Sequence, residues 1–331
     1  MPIASLQIQE QSYRYLRVVI VGLLVALAAA VFYQTGKQGT VLASVSAYYY
    51  TPAQAIFVGS LIGLGASMIV LQGRTGAEDT FLNLGGMFAI VVAIVPTGRG
   101  ADFQTAVQAC QKSGGTLLTN RASPGADCPT VRALQEASRA NVENNVVALL
   151  IVGGLALILA AIILIKDRTA NSGTPDRRWA LAGFLTALVV WLCGLAGLAV
   201  SVDWLAGHAH YIAAGGLLVG IVLVAAANAR QENPTVKGAV RSPREYHYTW
   251  AAVVMLAGAA VLIALWLAGL ISLFWVEILV ALLFIAFWTV QTVDSLTGHG
   301  ARDAQTPGAG ETPETPPLVA AGLPDAAEPA Q

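Results

Sequence analysis

From residue 246 to residue 293 the chain runs for 48 residues with one charged side chain, Glu277. As a single helix that stretch would be about 72 Å long, more than twice the hydrocarbon thickness of a bilayer. It has to fold back, and Gly269 and Ser272 mark the turn. Two membrane spans result, at about 250–268 and 273–290.

The rest of the chain repeats this theme. Of 331 residues, 56% are hydrophobic and 11% charged, against about 25% charged in soluble domains. Charge-free runs predict further spans at about 18–36, 54–71, 80–96, 146–165, 179–200 and 211–228, each long enough to cross a bilayer. The expected fold is therefore all-α, a polytopic transmembrane bundle of about eight spans. Residues 1–16 are expected to form an N-terminal segment and 17–96 the first three spans. An insert at 97–145 precedes spans four to eight at 146–293, and a disordered tail follows at 294–331. The tail is rich in Pro, Ala, Gly and Glu and lacks aromatics, so it has little to bury. A basic segment before an apolar run ending in Ala28-Ala29-Ala30 also fits a cleaved secretory signal; the length of the run favours an uncleaved anchor.

Punctuation within the runs supports these boundaries. Pro52 suits the first turn of a second helix. Glu78 and Asp79 precede span three, where acidic residues favour a helix N-terminus and Asp79 can cap it, with Asn83 in a similar interfacial role. Gly59 and Gly63, with Gly65 beyond, and Gly216 and Gly220, are small-residue spacings that let helices approach closely. Within the insert, residues 102–112 and 130–144 read as short helices, the second extending span four.

Orientation follows from charge and aromatic residues. With both termini cytoplasmic, 12 of the 18 basic residues fall inside, including the loops carrying Lys166, Arg168, Arg177 and Arg178 and then Arg230, Lys237, Arg241 and Arg244. That matches the positive-inside rule for short loops. Six of the seven Trp residues then lie near span ends, Trp191 alone being mid-span. The insert falls on the outer, oxidising face, where Cys110 and Cys128 are expected to form a disulfide. Cys193 reads as a small core residue. The expected location is the plasma (inner) membrane, with membrane lipids as the natural partner class. A net charge of −1 gives no argument for nucleic acid.

This topology collects the chemically interesting residues on the outer side. Ser46 with Tyr48, Tyr49 and Tyr50 lies between spans one and two, Asp203, His208 and His210 in the link before span six, and Glu277 just inside span eight. An ionisable residue within a span is a functional candidate; a group satisfied near a helix end is the alternative for Glu277. The tyrosines can supply phenolic donors to a ligand or form an interfacial belt. His208, His210 and Asp203 offer nitrogen and oxygen donors to a metal if the link is extended, or serve as plain interfacial residues. No nucleophile elbow, His-Glu-x-x-His pair, phosphate loop or Cys-x-x-Cys occurs, and no cofactor signature is present.

The segment Ser44-Val45-Ser46-Ala47-Tyr48-Tyr49-Tyr50-Thr51-Pro52 is followed by Glu78-Asp79, by Asn83-Leu84-Gly85-Gly86 and by His210 opening a glycine-containing span. This pattern resembles a family of polytopic bacterial membrane proteins without an assigned activity. More loosely it resembles the superfamily of alkaline ceramidases and adiponectin-type receptors, whose members hold zinc with Ser, Asp and His. The chain lacks a His-x-x-x-His pair on its last helices. Two functional readings follow: an outward-facing polar pocket for a lipid or small solute, and a metal-dependent intramembrane hydrolase built on Asp203, His208, His210 and Ser46. A transporter is a third, for which Glu277 alone supplies few buried ionisable groups.

Overall fold

The computed structural model describes the backbone of residues 2–73, 75–115, 128–167, 175–231 and 247–297. Residues 168–174 and 232–246 of the expected basic loops, and the tail from 298 onward, lie outside the described residues, while Lys166, Arg177, Arg178 and Arg230 of those loops fall in helices. Those described form nine α-helices and no strand. These are α1 (Pro2–Gln38), α2 (Gln54–Val70), α3 (Gly76–Ile94), α4 (Ala101–Lys112) and α5 (Cys128–Asp167), then α6 (Pro175–Val200), α7 (Val202–Gln231), α8 (His247–Leu267) and α9 (Leu273–Thr297). A short 3₁₀ helix, Val45–Tyr50, links α1 to α2.

Seven of the helices are long and apolar enough to cross a membrane, and α2, at 17 residues, lies at the short end of the spanning range. The protein is thus an all-α, multi-spanning membrane bundle. Its helices are apolar on both their buried and their exposed faces, as a lipid solvent permits. Leu155, for example, is 63% exposed.

Helix α3 sits at the centre, against α2, α6 and α7; α1 packs on α2, α5 on α6 and α8 on α7. Glycines make these approaches possible. A Cβ on Gly65 would collide with the Gly86 carbonyl and the Ile90 side chain, and one on Gly220 would lie 3.1 Å from the Gly85 backbone. Gly63 faces Leu23 and Gly216 the Phe88 ring, whereas Gly59 faces open space. Gly63 and Gly65 of α2 thus serve two different contacts, with α1 and with α3, and Gly59 serves neither.

The fold-back between α8 and α9 is a Schellman turn. Gly269, at φ +71°, donates to the Trp266 carbonyl and Leu270 to that of Leu265, which satisfies the last carbonyls of α8. Trp191 lies against Gly153 and Gly154 of α5 and donates to the Leu150 carbonyl at 2.7 Å. A mid-span indole is accommodated because its one donor finds a backbone acceptor.

Several boundaries differ from expectation. Helix α1 begins at Pro2, so residues 2–16 are helical, and it continues unbroken through Ala30. Helix α9 runs on to Thr297, past the expected start of the tail. The α3 N-cap is Thr75, whose hydroxyl accepts from Glu78 N–H; Asp79 instead accepts from Gly73 N–H and from Asn83. The expected link at 201–210 shrinks to Ser201, because α7 starts at Val202. Within 97–145 the described residues form α4 and the start of α5, and Cys110 and Cys128 are disulfide-bonded.

Candidate functional site

The one charge between residues 246 and 293 reaches the Val45–Tyr50 helix. Glu277, one turn into α9, accepts from the Val45 backbone N–H through Oε2 and from the Ser46 hydroxyl through Oε1 at 3.3 Å. A carboxylate at the start of a helical turn meets unpaired N–H groups and the positive end of the backbone dipoles. Ser44 satisfies a further N–H by accepting from Ala47 at 3.1 Å. Beside this contact Phe274 N–H donates to the Ala43 carbonyl at 3.0 Å, so α9 holds the α1–α2 connection at two points.

The three tyrosines then diverge. Tyr48 is fully buried; its hydroxyl meets the Thr35 hydroxyl, and its ring lies 6.1 Å from that of Phe274. Tyr49 packs edge-on against Phe57. Tyr50 donates to the Thr97 carbonyl at 2.7 Å, and the Arg99 guanidinium lies 4.0 Å from its ring centroid. Arg99 is also 5.2 Å from the Phe103 ring of α4, so it contacts two aromatics. Burial pushes the Tyr50 phenol up to about 12, with Arg99 opposing the shift and Tyr49 and Tyr211 adding to it. Burial also lowers the Arg99 pKa, an effect the nearby Tyr50 offsets.

His208 and His210 do not share a face. Two residues apart on a helix they point to nearly opposite sides. His208 is exposed and stacked on Trp204, whereas His210 is 2% exposed with Nδ1 at 2.7 Å from the Val95 carbonyl. Asn145 of α5 donates to the neighbouring Ile94 carbonyl at 2.8 Å. Together the two side chains satisfy carbonyls at the C-terminal end of α3, which account for His210 structurally. Asp203 pairs with Arg139 on the surface at 3.5 Å. Among the described residues no three His, Cys, Asp or Glu side chains gather as a metal site. The expected outer residues thus resolve into Ser46 with Glu277, Tyr50 with Arg99, and His210 with α3; Asp203 and His208 join none of these.

Below Glu277, a cavity of about 50 Å³ separates α1 from α9. Leu24, Leu27, Ala28, Val31 and Phe32 form one wall and Ile278, Ala281, Leu282 and Ile285 the other, with Val45 and Glu277 also lining it. Phe32 and Leu282 are about half exposed, so the crevice lies beside the outer surface of the bundle.

A second polar cluster escaped sequence reasoning altogether. Arg17, Glu78 and Gln291 are 0% exposed and Asn228 is 2%. They come from α1, α3, α9 and α7. Arg17 donates to Gln291 Oε1 at 2.8 Å. The Gln291 amide donates to Glu78 Oε1 at 3.2 Å and to Asn228 Oδ1 at 3.1 Å, and Asn228 donates to Glu78 Oε1 at 2.9 Å. Arg17 also lies 5.2 Å from the Trp288 ring centroid. The signal that was available is periodicity. Glu78 shares a face with Leu82, Gly85 and Ala89, and Gln291 with Phe284, Phe287 and Trp288, all buried.

Counting residues along the helices, Arg17 and Thr35 are about 27 Å apart on α1, and Gln291 and Glu277 about 21 Å apart on α9. Two polar layers therefore bracket an apolar slab close to the hydrocarbon thickness. No family model matches the chain, and no curated protein or solved structure matches it.

Proposed function

We propose that this membrane protein binds an amphiphile, whose single apolar chain lies in the crevice between α1 and α9 while its polar head meets Glu277 and Ser46. The observation that carries the reading is an apolar cavity with a carboxylate in its lining. At about 50 Å³ it is far smaller than the roughly 300–1,000 Å³ of ordinary small-molecule pockets. It suits part of one chain rather than a whole polar solute. The carboxylate favours heads that donate hydrogen bonds or carry positive charge. Membrane lipids and their single-chain relatives are the partner class.

In this reading the inner plasma membrane holds the protein with both termini in the cytoplasm. The basic short loops and the disulfide support that orientation. The hydrolase alternative loses its donor set, since Asp203 and His208 are on the surface and His210 is engaged with α3. The transporter alternative gains the buried Arg17 and Glu78, but the core between the two polar layers is lined by residues such as Leu27, Leu64, Phe284 and Phe287, which offer a polar solute no hydrogen bonds.

The test is photolabelling of the full-length protein in nanodiscs with a photoactivatable long-chain alkylamine. Crosslinks are expected on α1 and α9 around Leu27 and Ala281, and Ala281→Trp, which fills the crevice, should remove them. Equal labelling of Ala281→Trp and wild type would overturn the proposal.

A further inference from the structure

The insert and the crevice meet opposite ends of one short helix. Val45 and Ser46, at the start of the 3₁₀ helix, bond Glu277; Tyr50, at its end, carries Arg99 on its ring. Arg99 also lies 5.2 Å from the ring centroid of Phe103, in the first turn of α4. The last turn of α4 carries Cys110, which is disulfide-bonded to Cys128 at the first position of α5. Six residues of 3₁₀ helix span only about 12 Å, so a tilt at one end displaces the other.

That disulfide ties a short helix, α4, to α5. Helix α4 has 12 residues, a marginal length for an isolated helix. Its apolar contact with α5 is a small cluster of Val107, Cys110 and Val131, with Phe103, Ala106 and Cys128 at its edge. Without the crosslink more of the task of holding the helix against its conformational entropy falls on this patch and on the Phe103–Arg99 contact.

We infer that the Cys110–Cys128 disulfide regulates occupancy of the Glu277 crevice, its reduction loosening α4, uncovering Arg99 and letting the Val45–Tyr50 helix move off Glu277. This rests on the reading of the crevice as an amphiphile site. The switching step is ordinary exchange with an external dithiol. The protein S–S bond takes up two electrons and two protons and becomes two thiols, and the dithiol becomes a disulfide.

The experiment is photolabelling by the same alkylamine, titrated against the full-length protein in nanodiscs before and after treatment with a dithiol. Reduction, and the double variant Cys110→Ser/Cys128→Ser without any reductant, should each raise the half-saturating concentration about five-fold or more, the lower end of ordinary coupling between sites. Phe103→Ala, which keeps the disulfide but strips one side of Arg99, should shift it in the same direction. Helical circular dichroism is followed throughout, and weakening that appears only with loss of much more helix than the 12 residues of α4 overturns the inference. So does unchanged labelling on reduction, which leaves the binding reading intact. If the oxidised wild type takes no label at all, the binding reading fails first and the inference with it.

Discussion

Arg17 and Gln291, 274 residues apart in sequence, are joined by a 2.8 Å hydrogen bond between α1 and α9. Through Gln291 the Arg17 guanidinium is linked to the Glu78 carboxylate and to Asn228. Hydrogen bonds between membrane helices average about 0.6 kcal/mol, so Gln291→Leu, which removes three, should cost about 2 kcal/mol. Arg17→Met should cost more, about 3–5 kcal/mol, because it leaves a buried carboxylate without the cation it is linked to. The double variant Arg17→Met/Glu78→Gln should recover much of that loss. Thermal unfolding of the three variants in detergent checks the order; a double variant no more stable than Arg17→Met would show the two charges to be uncoupled.

The contrast between this network and the Glu277 site shows what could be read from the chain. Span existence was legible because in lipid the whole circumference of a helix is apolar, so length and absence of charge suffice. Glu277 stood out for the same reason, as a lone charge in a long apolar run, but that Ser46 meets it was not readable from the chain. Arg17 and Glu78 fall at span ends, where charges are common and look like interface residues. Asn228 and Gln291 carry no charge. Their convergence is set by how four helices pack, which no local pattern encodes. The two histidines misled for a local reason: Ser201 reduces an expected loop to a single-residue break, and helical geometry sends His208 and His210 to opposite sides.

The glycines give a paired prediction on packing. Gly86→Ala places a methyl group against the Gly65 carbonyl and Ile69, in the closest part of the α2–α3 crossing. Overpacking of this kind costs about 1–3 kcal/mol. Gly59→Ala meets nothing within 4 Å and should be neutral or stabilising by up to about 1 kcal/mol through helix propensity. Unfolding midpoints that shift in opposite directions, or by very different amounts, are the expected result.

Alkaline titration addresses Tyr50. Its phenol is pushed up to about 12 by burial, whereas an unfolded chain titrates near 10. The folded protein keeps this proton at pH values where the unfolded chain has lost it. The associated stability is therefore fully present below about pH 10 and is lost as the pH rises through about 12. The difference in near-ultraviolet phenolate absorbance between wild type and Tyr50→Phe should show one group titrating at the upper end of that window. A difference centred near pH 10 would contradict the burial of Tyr50.

The two histidines should separate cleanly on substitution. His210→Ala leaves the Val95 carbonyl without its buried partner and should cost about 1–3 kcal/mol. His208→Ala removes an exposed ring stacked on Trp204 and should fall within about 0.5 kcal/mol of wild type. Thermal unfolding distinguishes them, and equal effects would mean that His210 does not secure the end of α3.

Glu277 holds the α1–α2 connection and, on the proposed function, also selects the ligand head. Two substitutions separate these roles. Glu277→Leu removes both acceptors, stranding the Val45 N–H and the Ser46 hydroxyl, and should cost about 1–3 kcal/mol. Glu277→Gln keeps a carbonyl oxygen for the Val45 N–H and should retain most of the stability, while removing the negative charge. Wild type should therefore label with a long-chain alkylamine in preference to a fatty acid of the same length, and Glu277→Gln should label with both alike. If Glu277→Gln keeps the full preference for the amine, the carboxylate is a structural staple for the Val45–Tyr50 helix, and head selection lies elsewhere.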